Sequence, residues 1–321
     1  MNRRNGSVFI LAIWVLFFLT MLAVAVGSQV GGLLRLAGFV RDHVTLQAIG
    51  QAVAMQCASV ISGQTNTWDG VADQSWTRMP EAFTVEGIHG GTGYAGFYHR
   101  NDPSTVIFPG IISESGRINL NRANERLLAA FFQVAGGMSS VDAADLALAV
   151  WTQVRGQTPT GGVPQEGIPF VMVEELRRLP GVTPELYERV APDLTVFGDG
   201  LININTASAV VLESLALAVM REARYAPVAA SLAQRIVRFR ADGHVFISRD
   251  GESMRSTFYS VQDVPNEEQQ CFERMRGRLS VASTHFRGIT YVLLDGASSA
   301  TPVQEFVFDN RHKRFVYWRE L

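Results

Sequence analysis

The chain has 321 residues, 47% of them hydrophobic, and a near-balanced charge with a net of −2. That balance excludes a general nucleic-acid binder, which would carry a basic excess. No long low-complexity tract interrupts the sequence, and past its apolar N-terminal segment there is enough chain for one large domain or two modest ones.

From Val8 to Val26 there is no charge, and Thr20 is the sole hydroxyl. As a helix this run rises roughly 28 Å, against a hydrocarbon core about 30 Å thick. Arg3, Arg4 and the free amine precede it, and no basic residue follows before Arg35. The positive-inside bias therefore places the N-terminus in the cytoplasm and the rest of the chain outside. Ala23-Val24-Ala25 has the form of a signal-peptide cleavage site, and a plain signal anchor would look the same. A third reading rests on Arg4-Asn5-Gly6-Ser7, a short basic leader ending in glycine directly before the apolar run. This resembles the type IV prepilin leader. The resemblance implies that a prepilin peptidase cuts after Gly6 on the cytoplasmic side. Ser7 then becomes the N-terminus, and the apolar helix with Leu11 and Trp14 stays on the mature protein.

Beyond Val26 a helical pattern continues, where a cleaved signal peptide would be followed by a turn. Leu33, Ala37, Val40, Val44, Ala48, Ala52 and Met55 recur at three- and four-residue steps as one apolar stripe. No proline occurs before Pro80. The spacing predicts a single helix from Ser7 to Ser62, about 80 Å long, with residues 7–27 in lipid. Gly27 and Gly31 form a small-xxx-small pair, a pattern that lets helices pack closely in a membrane. The topology places both cysteines, Cys57 and Cys271, in an oxidising compartment that permits a disulfide. Their spacing leaves open whether they pair or stay buried and free.

Thr65 to Pro80 is polar with two tryptophans and reads as a surface segment. Two alternating runs, 82–88 and 93–98, joined through His89-Gly90-Gly91-Thr92, read as a β-hairpin. Gly91-Thr92-Gly93-Tyr94-Ala95-Gly96 spells G-x-G-x-x-G, but no helix start follows it. A glycine-rich turn is the expectation there, and a dinucleotide site is not.

An internal repeat occupies the middle of the chain. Ile118-Asn119-Leu120-Asn121-Arg122-Ala123 matches Ile202-Asn203-Ile204-Asn205-Thr206-Ala207. Each copy reads as a short strand, with Asn121 or Asn205 as the N-cap of a following helix. Further helices are expected over 141–154 and 172–178. Thr183 should cap another, with Pro184 at its first position and Glu185 in its first turn. Leu179-Pro180-Gly181-Val182 resembles the turn of helix-hairpin-helix DNA-binding modules. However, the second glycine is missing, and Glu185 would stand beside the phosphate.

Three features in this order resemble the type II secretion system protein K family, the large minor pseudopilin. They are the leader with its apolar helix, the doubled Ile-Asn-x-Asn-x-Ala motif, and the block from Glu174 through Leu179-Pro180-Gly181-Val182 to Ala207. Counting from Ser7, the fifth mature residue is Leu11, where most pseudopilins carry Glu and family K does not. The resemblance implies partners: minor pseudopilins of types I and J, the major pseudopilin, the prepilin peptidase and the inner membrane, with no nucleic acid. It also implies calcium bound by carboxylates in the helical region. The matching stretch here, 153–167, holds one carboxylate. Asp142, Asp145, Asp193 and Asp199 are scattered, so no ligand set is placed.

The C-terminal runs 279–283, 288–294, 302–308 and 314–318 read as an antiparallel set, with Arg311 to Arg314 as a basic turn. The fold class is α+β. A pilin-like long helix (7–62, after leader 1–6) packs on a small antiparallel sheet (63–116 and 276–321), with an inserted all-helical subdomain (117–275). The histidines His43, His89, His99, His244, His285 and His312 show no metal spacing, and no nucleophile motif occurs. The chain therefore reads as a non-catalytic minor pseudopilin of the inner membrane, its head periplasmic, capping a filament tip. The alternative is a membrane-anchored, helix-hairpin-helix-type DNA-binding or uptake protein.

Overall fold

The computed structural model describes residues 5–64, 68–70, 84–88, 90–98, 107–157, 165–220, 222–247 and 252–321. Leader residues 1–4, most of the polar 65–80 segment, His89 and His99 lie outside them.

Helix α1 runs from Asn5 to Ser62, 58 residues without a proline, and is about 87 Å long. Its last turns bury Ile49, Val53, Ala54, Cys57 and Ile61. Those steps trace one face of a helix, but not the expected face. Val44 and Met55 point outward at 59% and 52% exposure. The phase of the helix is set by where it meets the sheet, and periodicity alone cannot see that contact.

Four strands follow: β1 (Thr84–Ile88), β2 (Gly91–Tyr98), β3 (Ile107–Pro109) and β4 (Ile112–Ser113). The glycine motif is not a turn, because Gly91 to Gly96 lies within β2. Gly91 and Gly93 sit directly beneath α1, where an added Cβ would press on Ile49 and Val53. Glycine here permits close approach rather than a bend.

The chain then enters a block of helices. Its elements are β5 (Ile118–Asn119), α2 (Glu125–Val134), α3 (Ser140–Arg155), β6 (Gly156–Gln157) and β7 (Gln165–Glu166). After them come a 3₁₀ turn (Val173–Arg178), α4 (Pro184–Val190), β8 (Leu194–Thr195) and β9 (Ile202–Asn203). The block closes with α5 (Ala209–Met220), α6 (Ala226–Ala241), α7 (Glu252–Gln262), α8 (Asn266–Met275) and β10 (Leu279–Ser280). The 172–178 segment is a 3₁₀ helix and not an α-helix. Thr183 caps α4 as expected, accepting from Leu186 N–H at 3.2 Å, with Pro184 in the first turn.

The repeat is structural as well as sequential. β5 pairs in parallel with β8, and β9 with β10, so each half opens and closes on its own two-stranded ladder. The expected caps are displaced. Asn124, not Asn121, caps α2, and Ser208 rather than Asn205 accepts from Val211 N–H at the start of α5. Asn121 instead clasps the backbone of Phe170, donating to its carbonyl at 2.9 Å and accepting from its N–H at 2.8 Å. Asn205 does the same to Phe246, at 2.8 and 2.9 Å. Asn119 and Asn203, two residues earlier, each accept from the N–H of the clasping asparagine.

Strands β11 (His285–Leu294), β12 (Thr301–Asp309) and β13 (Arg314–Glu320) complete a seven-stranded sheet. Its order is β1-β2-β11-β12-β13, with β3 beside β2 and β4 beside β11, all antiparallel. Leu279–Ser280, expected in this sheet, belongs to the helical block instead, because it pairs with β9. The protein is thus α+β, a long N-terminal helix packed on an antiparallel sheet with a set of helices carried between β4 and β11. One core lies between α1 and the sheet, around Ile49, Val53, Cys57, Phe286 and Phe306. The other lies among the helices, around Phe131, Phe132, Phe239, Phe258 and Cys271.

Candidate functional site

The N-terminal part of α1 packs against no other element among the described residues. It is long and apolar enough to cross a membrane, and none of its most apolar eighteen-residue window is buried. Leu11 and Trp14 are 67% and 56% exposed. Trp14, Phe17 and Phe18 contact one another at ring-centroid distances of 5.9–6.1 Å. The hydroxyl of Thr20 donates to the Phe17 carbonyl at 2.8 Å, so the one hydroxyl of the run is satisfied within the helix. That is the condition for a helix in hydrocarbon. Among the described residues, nothing beyond the helix's own adjacent backbone lies within 4 Å of a Cβ built on Gly27 or Gly31, so this face is open there. Gly6 and Ser7 stand in the first turn of α1.

At the far end of α1 the sheet meets the helical block through a buried charge cluster. Glu114 is fully buried. It accepts from Arg287 Nε at 2.7 Å, from Arg117 Nη1 at 2.8 Å and from the Thr195 hydroxyl. Arg287 also pairs with Glu305 at 2.6 Å, and Arg319 reaches the other Glu305 oxygen at 2.6 Å. Burial alone would push the Glu114 carboxyl up, but Arg117 and Arg287 outweigh it and hold the group below the usual carboxylate range. Nearby, Asp69 accepts from Asn203 Nδ2 at 2.7 Å, and burial pushes its carboxyl up to about 6. Asn203 also donates to Ser283 Oγ at 2.9 Å, so segment 68–70, the second repeat and the approach to β11 meet at one polar knot. Sequence reasoning missed both clusters.

The two cysteines are not joined. Each is a free, buried thiol, Cys57 in the sheet core and Cys271 in the helical core. Of the two fates the spacing left open, pairing or free burial, the structure has the second: the two side chains are packed into different cores. The calcium expectation finds no ligand set either. Among the described residues no group of three or more His, Cys, Asp or Glu could hold a metal, and 158–164 lie outside them. Asp142 pairs with its cap Ser139, Asp193 accepts from Ser208, and Asp199 accepts from Leu201 N–H.

The Leu179-Pro180-Gly181-Val182 turn forms, with Gly181 at φ +84°. Its neighbouring cations are engaged with acids, Arg177 with Glu188 at 2.9 Å and Arg178 with Glu175 at 3.7 Å. Arg177 also stacks over Tyr187 at 4.0 Å. With Glu185 in the next turn, this hairpin offers a phosphate little attraction.

No family model matches the sequence, and no curated protein matches it. Among solved structures, the chain is similar to one in the crystal structure of the GspK–GspI–GspJ complex from the type 2 secretion system of enterotoxigenic Escherichia coli. The TM-score is 0.58 at 14% identity, and the match covers 89% of this chain and 98% of that one. The likeness, over most of both chains, establishes a common fold.

Proposed function

We propose that this chain is the large, K-type minor pseudopilin of a type II secretion system. The leader 1–6 is removed, Ser7 is the N-methylated start of the mature protein, and residues 7–27 of α1 hold it in the inner membrane with the head in the periplasm. The observation that carries the reading is the bare apolar half of α1, continuous with a lower half that forms the sheet core. Such a helix leaves lipid only by packing among like helices, which is how a filament subunit is extracted and assembled. The similar structure is a complex with GspI and GspJ, and partners of those two kinds suit this chain. Leu11 lacks the carboxylate that would neutralise a neighbour's buried amine, an amine costly in lipid. A subunit without that group and with a bulky head fits the tip of a filament better than its shaft.

N-terminal sequencing of the membrane-extracted protein tests this. A start at Ser7 is expected. A start at Val26 would mean a conventional signal peptide, an intact Met1 a plain anchor, and either overturns the reading.

A further inference from the structure

A groove of about 520 Å³ opens between α2, α5 and α8. Its floor is apolar, with Leu127, Leu215 and Ala218, and three arginines ring it: Arg126, Arg274 and Arg278. All three are exposed, and among the described residues none has a carboxylate partner. Among the described residues, Arg274 Nη1 also lies 3.9 Å from Met220 Sδ. Arg117, Arg177, Arg235, Arg276, Arg287 and Arg319 all pair with acids. No acid lines the groove, although Glu125 and Glu222 line two hollows that share Arg126 with it. In a chain of net charge −2, this is a local reversal of sign.

We infer that the groove binds an acidic segment of another polypeptide, with carboxylates spaced around an apolar side chain. Guanidinium forks match carboxylates bidentately and at fixed spacing. The apolar floor takes the side chain between them, as pockets of this composition do. A small anion would leave that floor uncovered. A nucleic acid would meet too few cations on a surface of net negative charge.

The full chain in detergent is titrated with a fluorescein-labelled Asp-Leu-Glu-Leu-Asp peptide. Controls are the Asn-Leu-Gln-Leu-Asn peptide, glutamate and duplex DNA. The acidic peptide binds, and raising salt weakens it. The Arg126→Gln/Arg274→Gln/Arg278→Gln variant binds about tenfold more weakly, the combined effect of three partly solvated charges. Arg311→Gln, at the β12–β13 turn, changes nothing. Absent binding, equal binding of the amide peptide, an unaffected triple variant, or displacement by glutamate or DNA at lower concentration would each overturn the inference. Should the triple variant lose its native near-UV circular dichroism, Arg278→Gln alone decides by the same titration.

Discussion

A Cβ built on Gly93 would lie 2.5 Å from Cγ2 of Ile49 and 2.7 Å from Cγ2 of Val53. Helix and sheet meet at this glycine with no room for a methyl group. Gly93→Ala therefore destabilises the sheet core by about 1–3 kcal/mol, the cost of overpacking a filled site. Gly31→Ala, on the open face of α1, is neutral or gains up to about 1 kcal/mol of helix propensity. Thermal unfolding of the two variants in the same detergent measures the contrast.

Removing Glu114 leaves the part-buried Arg117 without its carboxylate partner and Arg287 with Glu305 alone. Glu114→Gln costs about 3–5 kcal/mol, as for other broken buried pairs. Arg319→Gln, at the half-exposed end of the same chain of charges, costs at most about 1 kcal/mol. Because the Glu114 carboxyl sits below its unfolded value, its stabilisation is complete above about pH 4.3. It is lost as pH falls through the lower folded value. Denaturant midpoints of wild type and Glu114→Gln, measured from pH 7 downward, converge in acid.

Asp69 behaves oppositely. Its folded pKa of about 6 lies above the ordinary aspartate value. The contribution it makes when protonated is fully present below about pH 3.9 and is lost as pH rises toward and through 6. Asp69→Asn removes this dependence. At pH 7.5 it stabilises the protein by on the order of 2 kcal/mol, and at pH 4 it changes nothing. Chemical denaturation at the two pH values reads the difference.

Both thiols are inert in the folded protein. Burial pushes the Cys271 thiol up to about 12 and raises Cys57 as well, and the thiolate is the reactive form. An aromatic-disulfide thiol reagent labels neither until denaturant is added, then both. Cys57→Ser and Cys271→Ser leave the non-reducing electrophoretic mobility unchanged. A faster-migrating oxidised wild type would contradict the free-thiol state.

The elements legible in the sequence were those whose causes are local. A proline-free apolar run gives α1, and Thr183-Pro184-Glu185 gives the start of α4 because every participant lies within one turn. Asn121 and Asn205 misled for the same reason. Their N-cap propensity is local, but their partners Phe170 and Phe246 are 49 and 41 residues away. Glu114 and Arg287 are separated by 173 residues, and no pattern in either neighbourhood announces the pair. The glycines of β2 spelled a nucleotide motif because composition records the small residue and not the helix pressed against it.

Ser113 and Phe286 are register partners across β4 and β11. The polypeptide therefore departs from the sheet and rejoins it at the same rung. To the strands, everything between is a detour whose size hardly matters, since loop-closure entropy grows only slowly with length. Heads of other shapes could be grafted at that rung while the sheet and α1 kept their form, which makes the helical end of this architecture interchangeable and its α1-bearing end fixed.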